Sequence, residues 1–151
     1  MAPQESLFLS ARFATIVHAT EDIAKVEEAV AFLTTLVSTA KINLTRQYLK
    51  GHHGNMIATI SSKLSSEELG PDSLMRISQA LPESDKLFLS NGLDDCIDQE
   101  GNLYLRFDKQ EAYLKRARLY QGDPIRMKLK FSFARDREEI VRACRESGLL
   151  I

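Results

Sequence analysis

The sequence predicts an α+β fold: a single domain over residues 1–151, with an antiparallel β-sheet carrying helices on one face. Three observations lead there. Ile125, Met127, Leu129, Phe131 and Phe133 alternate strictly with Arg126, Lys128, Lys130 and Ser132, the period of a strand with one side in a core. Ile23, Val26, Val30, Leu33 and Val37 recur at steps of three and four, the period of an amphipathic helix. Two strand-like segments, Ile42 to Tyr48 and Met56 to Leu64, flank a glycine-bracketed tip and so read as a hairpin.

Taken in order, Leu7 to Val17 is rich in β-branched and aromatic residues and forms the first strand. Thr20 is placed as an N-cap, with Glu21 and Asp22 favouring the positive end of a helix that stops near Ser38. Ile42, Leu44, Arg46 and Tyr48 alternate with polar residues, and the return strand follows the Gly-His-His-Gly tip. Ser65 and Glu68 have the spacing of a capping box, Gly70-Pro71 interrupts it, and Leu74, Ile77 and Leu81 mark a helix stopped by Pro82. Asp85 to Leu89 is expected to add one helical turn. Asp98 to Asn102 has the residues of a hairpin loop between two strands, with Gly101 supplying a positive φ and Leu103 to Phe107 leaving it. Asp108 is expected to cap a helix through Arg118. After Gly122-Asp123-Pro124 comes the strand from Ile125 to Phe133. Asp136 then caps a last helix with Ile140 and Val141 inward. The expected order is β-α-β-β-α-β-β-α-β-α, with Arg126, Lys128 and Lys130 striping the open sheet face.

Composition is that of a soluble globular protein, 44% hydrophobic and 27% charged, long enough at 151 residues to bury a core without staples. Cys96 and Cys144 are far apart and fit no metal spacing, which suggests a reducing interior. No long uncharged apolar run and no secretory signature is visible, so the expected location is cytoplasmic and no membrane partner is expected. The net charge of −1 hides an asymmetry. From Ser65 to Glu100 acids dominate, opposed only by Arg76 and Lys86. From Leu103 to Arg135 cations dominate, opposed only by Asp108, Glu111 and Asp123. A one-sided distribution of this kind is the electrostatic footprint of nucleic-acid binding, although solvated faces also segregate charge.

Two stretches carry candidate chemistry. Lys50-Gly51-His52-His53-Gly54-Asn55 sets two imidazoles, an ammonium and an amide at a tip. Its plain reading is a hairpin turn. Arg106, Lys109, Gln110 and Tyr113 concentrate cations, an amide and an aromatic ring downstream. No glycine-rich phosphate loop is present, and His52 has no identifiable nucleophile or orienting carboxylate nearby, so no catalytic residue is assigned. Adjacent histidines on a strand point to opposite faces, a poor start for a metal site, so no metal and no cofactor is expected. Lysine and arginine suit phosphate contacts, while histidine, asparagine and glutamine suit base edges or ribose hydroxyls.

His18-Ala19-Thr20-Glu21-Asp22 with Val26, then Gly51-His52-His53-Gly54-Asn55, then Arg106-Phe107-Asp108-Lys109-Gln110 with Ala112-Tyr113-Leu114, and finally Asp123-Pro124-Ile125-Arg126 together resemble the archaeal family of small RNA-binding proteins known as predicted exosome subunits. The similarity runs from about Leu7 to Glu146. It implies a fold similar to the ribosomal protein that binds five-S rRNA, and a non-enzymatic RNA-binding role linked to RNA processing. Where that family tends to a glycine after Ala-Tyr-Leu, this chain has Lys115. The expected RNA-binding residues are Lys50, His52, His53, Asn55, Arg106, Lys109, Gln110, Tyr113, Arg126, Lys128 and Lys130. The expected partners are RNA, an RNA-processing assembly and a second copy in a homodimer. Two alternatives stay open: a protein-interaction subunit using the acidic 65–100 face or an exposed sheet edge, and a histidine-dependent hydrolase.

Overall fold

The structure is a computed structural model that describes residues 7–50, 54, 56–132 and 136–151. Five strands form one sheet: β1 (Phe8–Val17), β2 (Leu44–Lys50), β3 (Met56–Ser65), β4 (Asn102–Asp108) and β5 (Pro124–Phe131). Their order is β2-β3-β1-β5-β4, and every neighbouring pair is antiparallel. The helices are α1 (Ile23–Val37), α2 (Ser73–Ala80), α3 (Glu83–Gly92), α4 (Lys109–Tyr113) and α5 (Arg137–Glu146). This is the α+β architecture that the hydrophobic periods imply. Alternate residues of β1, β3, β4 and β5, among them Phe13, Ile60, Leu105 and Met127, are buried under Val30 and Leu33 of α1, Ile77 of α2 and Ile140 of α5. The rings of Phe8 and Phe131 meet edge to face at 5.3 Å between centroids.

Several local readings shift. Asp22, not Thr20, caps α1, its carboxylate accepting from the Ala24 N–H at 3.0 Å. Ser65 and Glu68 do bond as a box: the Ser65 N–H and hydroxyl each reach a Glu68 carboxylate oxygen at 3.0 Å. That box closes a turn, and α2 begins only at Ser73. The helical turn expected at Asp85 to Leu89 is part of the ten-residue α3, and the strand expected before the Asp98 loop gives way to the end of that helix and a turn of 3-10 helix at Leu93–Cys96. Pro82 at the N-cap of α3, with Glu83 and Asp85 in the first turn, favours a helix start. Leu89 and Leu93, four apart, bury the same face. A single bridge from Ile97 to Leu103 is what remains of the hairpin pairing.

Asp108 caps α4 by accepting from the Gln110 and Glu111 N–H groups, yet the helix ends at Tyr113 rather than Arg118. Its close is a Schellman arrangement: the Arg116 N–H donates to the Glu111 carbonyl at 2.8 Å and the Lys115 N–H to Ala112 at 3.0 Å. That motif requires a left-handed residue, and Lys115 supplies it at φ 63°. The departure from glycine therefore falls where glycine is sterically cheapest, at about 1 kcal/mol for a side chain.

The loop before β4 turns at Gly101, φ 84°. Asp98 holds it by accepting four bonds at 2.9 Å, from the N–H groups of Glu100 and Asn102, the Asn102 amide and the Tyr104 hydroxyl. Burial pushes the Asp98 carboxyl up, but these donors outweigh it and bring it from 3.8 down to about 2. A carboxyl lowered in the folded state adds stability that is complete above its unfolded value and is lost as pH falls from about 4 towards 2. Asp98→Ala should therefore lower stability at pH 7 by about 2 kcal/mol, allowing for solvent screening, and flatten the acid limb of unfolding. Denaturant melts of both proteins from pH 7 to pH 2 measure this. Parallel curves would show that the four bonds add nothing.

Candidate functional site

With the helices stacked on one side, the other side of the sheet is open. Strand parity and register decide what it carries. One row across the strands reads Lys63, Arg12, Lys128 and Tyr104. The next reads Ser61, Ala14, Arg126 and Arg106, and the third Ser65, Ser10, Lys130 and Asn102. Adjacent strands lie about 4.8 Å apart, so Lys63 faces Arg12, Arg12 faces Lys128, and Arg126 faces Arg106 as direct neighbours. Directly opposed like charges each destabilise a sheet by about 0.2–1 kcal/mol.

Among the described residues no ion pair offsets them. Arg12, Lys63, Arg126, Lys128 and Lys130 are all exposed, and none forms an ion pair among the described residues. The Arg106 side chain donates to the neutral Gln121 oxygen at 3.4 Å and to no carboxylate among the described residues. The one acid on this face of the four strands is Asp108, at the end of β4, whose Oδ1 caps α4. Lys128 lies 6.0 Å from the centroid of Tyr104, whose hydroxyl is tied to Asp98. The face is thus a cationic platform with a fixed aromatic ring at one margin. Arg12 and Lys63 were not among the residues picked from sequence. Each sits in a strand of alternating pattern, but only the placement of β1 between β3 and β5 aligns them with Lys128.

The other picked residues fall elsewhere. Lys109 has its ammonium in an internal clasp: it donates to the Ile16 carbonyl at 2.6 Å, to Glu21 at 3.1 Å and to Asp123 at 2.8 Å. Its side chain is 11% exposed, and all three donors are used. His18 joins the same cluster, its Nε2 at 3.0 Å from Asp123. Three of the four motifs read from sequence, at residues 18–22, 106–114 and 123–126, therefore meet at one end of the sheet. His18, Glu21 and Asp123 are close enough to share a cation, and the Lys109 ammonium is within bonding distance of both carboxylates. Burial pushes the Asp123 carboxyl up, but the bond and charge of Lys109, with His18, outweigh this and hold it below the usual range.

Gln110 is exposed on α4, and Tyr113 is half-buried against the core with the Lys25 ammonium 5.5 Å from its ring. Lys50 ends β2 at the far edge, with three strands between it and β4, and shares the helix-facing parity of Arg46, which pairs with Glu27 of α1. β2 and β4 thus form opposite edges of the sheet. Gly51, His52, His53 and Asn55 lie outside the described residues.

The family described as RNA binding matches residues 10–131. The RNA-binding protein PAB1135 of Pyrococcus abyssi is 30% identical over 139 residues, covering 89% of this chain and 90% of that protein. Among solved structures, protein AF2318 from Archaeglobus fulgidus, a DUF54 protein, superposes with a TM-score of 0.74 at 30% identity, over 93% of this chain and 99% of its own. SSO0741 from Sulfolobus solfataricus superposes at 0.68 with 28% identity, over 91% and 98%.

Proposed function

This chain belongs to the RNA-binding family, and on that premise we propose that it binds RNA across the open face of its sheet. One observation carries the reading: the three directly opposed like-charge pairs, none of them with an acid as its cross-strand partner. A folded chain gains nothing from that arrangement, whereas a phosphate backbone laid across it neutralises every member. Arg12, Lys63, Arg126, Lys128 and Lys130 are the phosphate contacts, Arg106 serves the margin, and Tyr104 offers a stacking surface for an unpaired base. Lys109 acts within the protein, as the clasp that joins β1, α1 and β5. Lys50, Gln110 and Tyr113, with His52, His53 and Asn55 of the tip, would extend the contact beyond the sheet. The role is binding rather than turnover. Handing the RNA to a processing assembly such as the exosome would use the acid-rich 65–100 segment.

A salt titration tests the reading. Binding of a single-stranded oligonucleotide should weaken with a log–log slope of about −0.7 per phosphate, hence about −3.5 for five cations. Affinity would then fall about a hundredfold between 50 and 200 mM salt. No binding, or binding indifferent to salt, would turn the reading towards a protein-interaction module.

A further inference from the structure

At the β4 edge of the platform lies a cleft of about 720 Å³, walled by α3, by the segment at residues 119–121 and by β4 itself. Its size suits one nucleotide. Phe88 of α3 lines it and keeps its ring 53% exposed. Tyr104 faces it with its ring fixed by the Asp98 bond. Asn91 and Gln121 add amides, and Arg106 and Arg126 stand where the cleft meets the cationic face.

The backbone makes this more than a dent. β4 is an edge strand, and its outward groups are satisfied towards both ends. The Asn102 carbonyl accepts from the Asp98 N–H at 3.1 Å, the Arg106 carbonyl from Tyr120 at 2.9 Å, and the Asp108 N–H donates to Arg118 at 2.8 Å. By strand alternation the Tyr104 carbonyl and the Arg106 N–H point the same way, between those bonds. Neither has a hydrogen-bond partner among the described residues. An edge strand presents such open groups as a ready template for a bonding partner, and here two neighbouring ones face the cleft.

We propose that this cleft takes one unpaired nucleobase, its edge bonded to the Tyr104 carbonyl and the Arg106 N–H and its face against Phe88. Every base carries an adjacent donor and acceptor on its pairing edge, so a neighbouring carbonyl and N–H match it without a side chain. A duplex has already used those edges, so the cleft selects single strands. Arg106 and Arg126 receive the flanking phosphates, which joins the cleft to the platform. The inference rests on RNA lying across the open face, but its test is separable.

Adenosine 5′-monophosphate is titrated into the isotope-labelled protein, with ribose 5-phosphate as control. The Arg106 amide should shift with the nucleotide and not with the sugar phosphate, and Phe88→Ala should abolish the shift. Phe88→Ala should also weaken a single-stranded oligonucleotide about tenfold while keeping its salt slope, because stacking releases no counterions. An Arg106 amide indifferent to the nucleotide, or equal shifts with ribose 5-phosphate, would overturn the base site while leaving the platform standing. A flat salt titration with intact Arg106 shifts would do the reverse. Because Phe88 is exposed, an unchanged melting curve is expected to show that the variant folds.

Discussion

Alanine at Arg12, Lys63 and Lys128 together should weaken RNA binding about a hundredfold at 0.1 M salt and make the protein no less stable. These three side chains occupy one row across β3, β1 and β5, each directly beside the next. Removing three phosphate contacts should take about 2 from the log–log salt slope, which at 0.1 M corresponds to that hundredfold loss. Stability should move the other way. Two opposed like-charge pairs disappear, each worth about 0.2–1 kcal/mol of repulsion, and exposed side chains on an open sheet face take little packing with them. The signature is therefore a weaker binder with an equal or higher melting temperature. The row leaves Arg106 and Arg126 in place and touches the β4 cleft only through the Lys128 ammonium beside the Tyr104 ring, so its effect should be nearly uniform over RNA sequences. Unchanged affinity in a folded triple variant would remove the platform as the binding surface.

Replacing Lys109 by methionine should lower stability by about 2 kcal/mol, or about 4–8 °C in melting temperature, with the RNA salt slope preserved. The ammonium bonds β1 through the Ile16 carbonyl, the N-terminal end of α1 through Glu21 and the entry to β5 through Asp123. Taking it away leaves two carboxylates and a carbonyl without their shared donor. The loss stays below that of a fully buried pair because the Asp123 side chain is 50% exposed. The pH dependence follows from the same carboxyl. Asp123 lies below its ordinary value in the folded protein, so its contribution is present above the unfolded value and is lost as pH falls. In Lys109→Met that contribution is smaller from the start, and the acid limb of the stability curve should be shallower. A variant that melts like the parent and loses about 0.7 from the salt slope would instead make Lys109 a phosphate contact.

The sequence by itself determined whatever depends on near neighbours. The alternation around Arg126, Lys128 and Lys130 settled both the strand and the side on which the cations stand, because side chains on a strand have a period of two wherever it is placed. The caps at Asp108 and Asp136 and the turn at Gly101 were equally legible, since each satisfies backbone groups within three or four residues. Even Lys115, read as a departure from glycine, marks the left-handed residue that closes α4. The tertiary structure alone decided what depends on residues distant in the chain. Arg12 and Lys63 join Lys128 only because β1 lies between β3 and β5, and no local pattern specifies strand order. Asp85 is buried and accepts from the Leu119 N–H at 3.0 Å, a bond across 34 residues that ties α3 beside the β4 edge and shapes the cleft. Lys109 shows the same division: its charge was plain in the sequence, but whether it faces water or two carboxylates was settled only when β1, α1 and β5 closed around it.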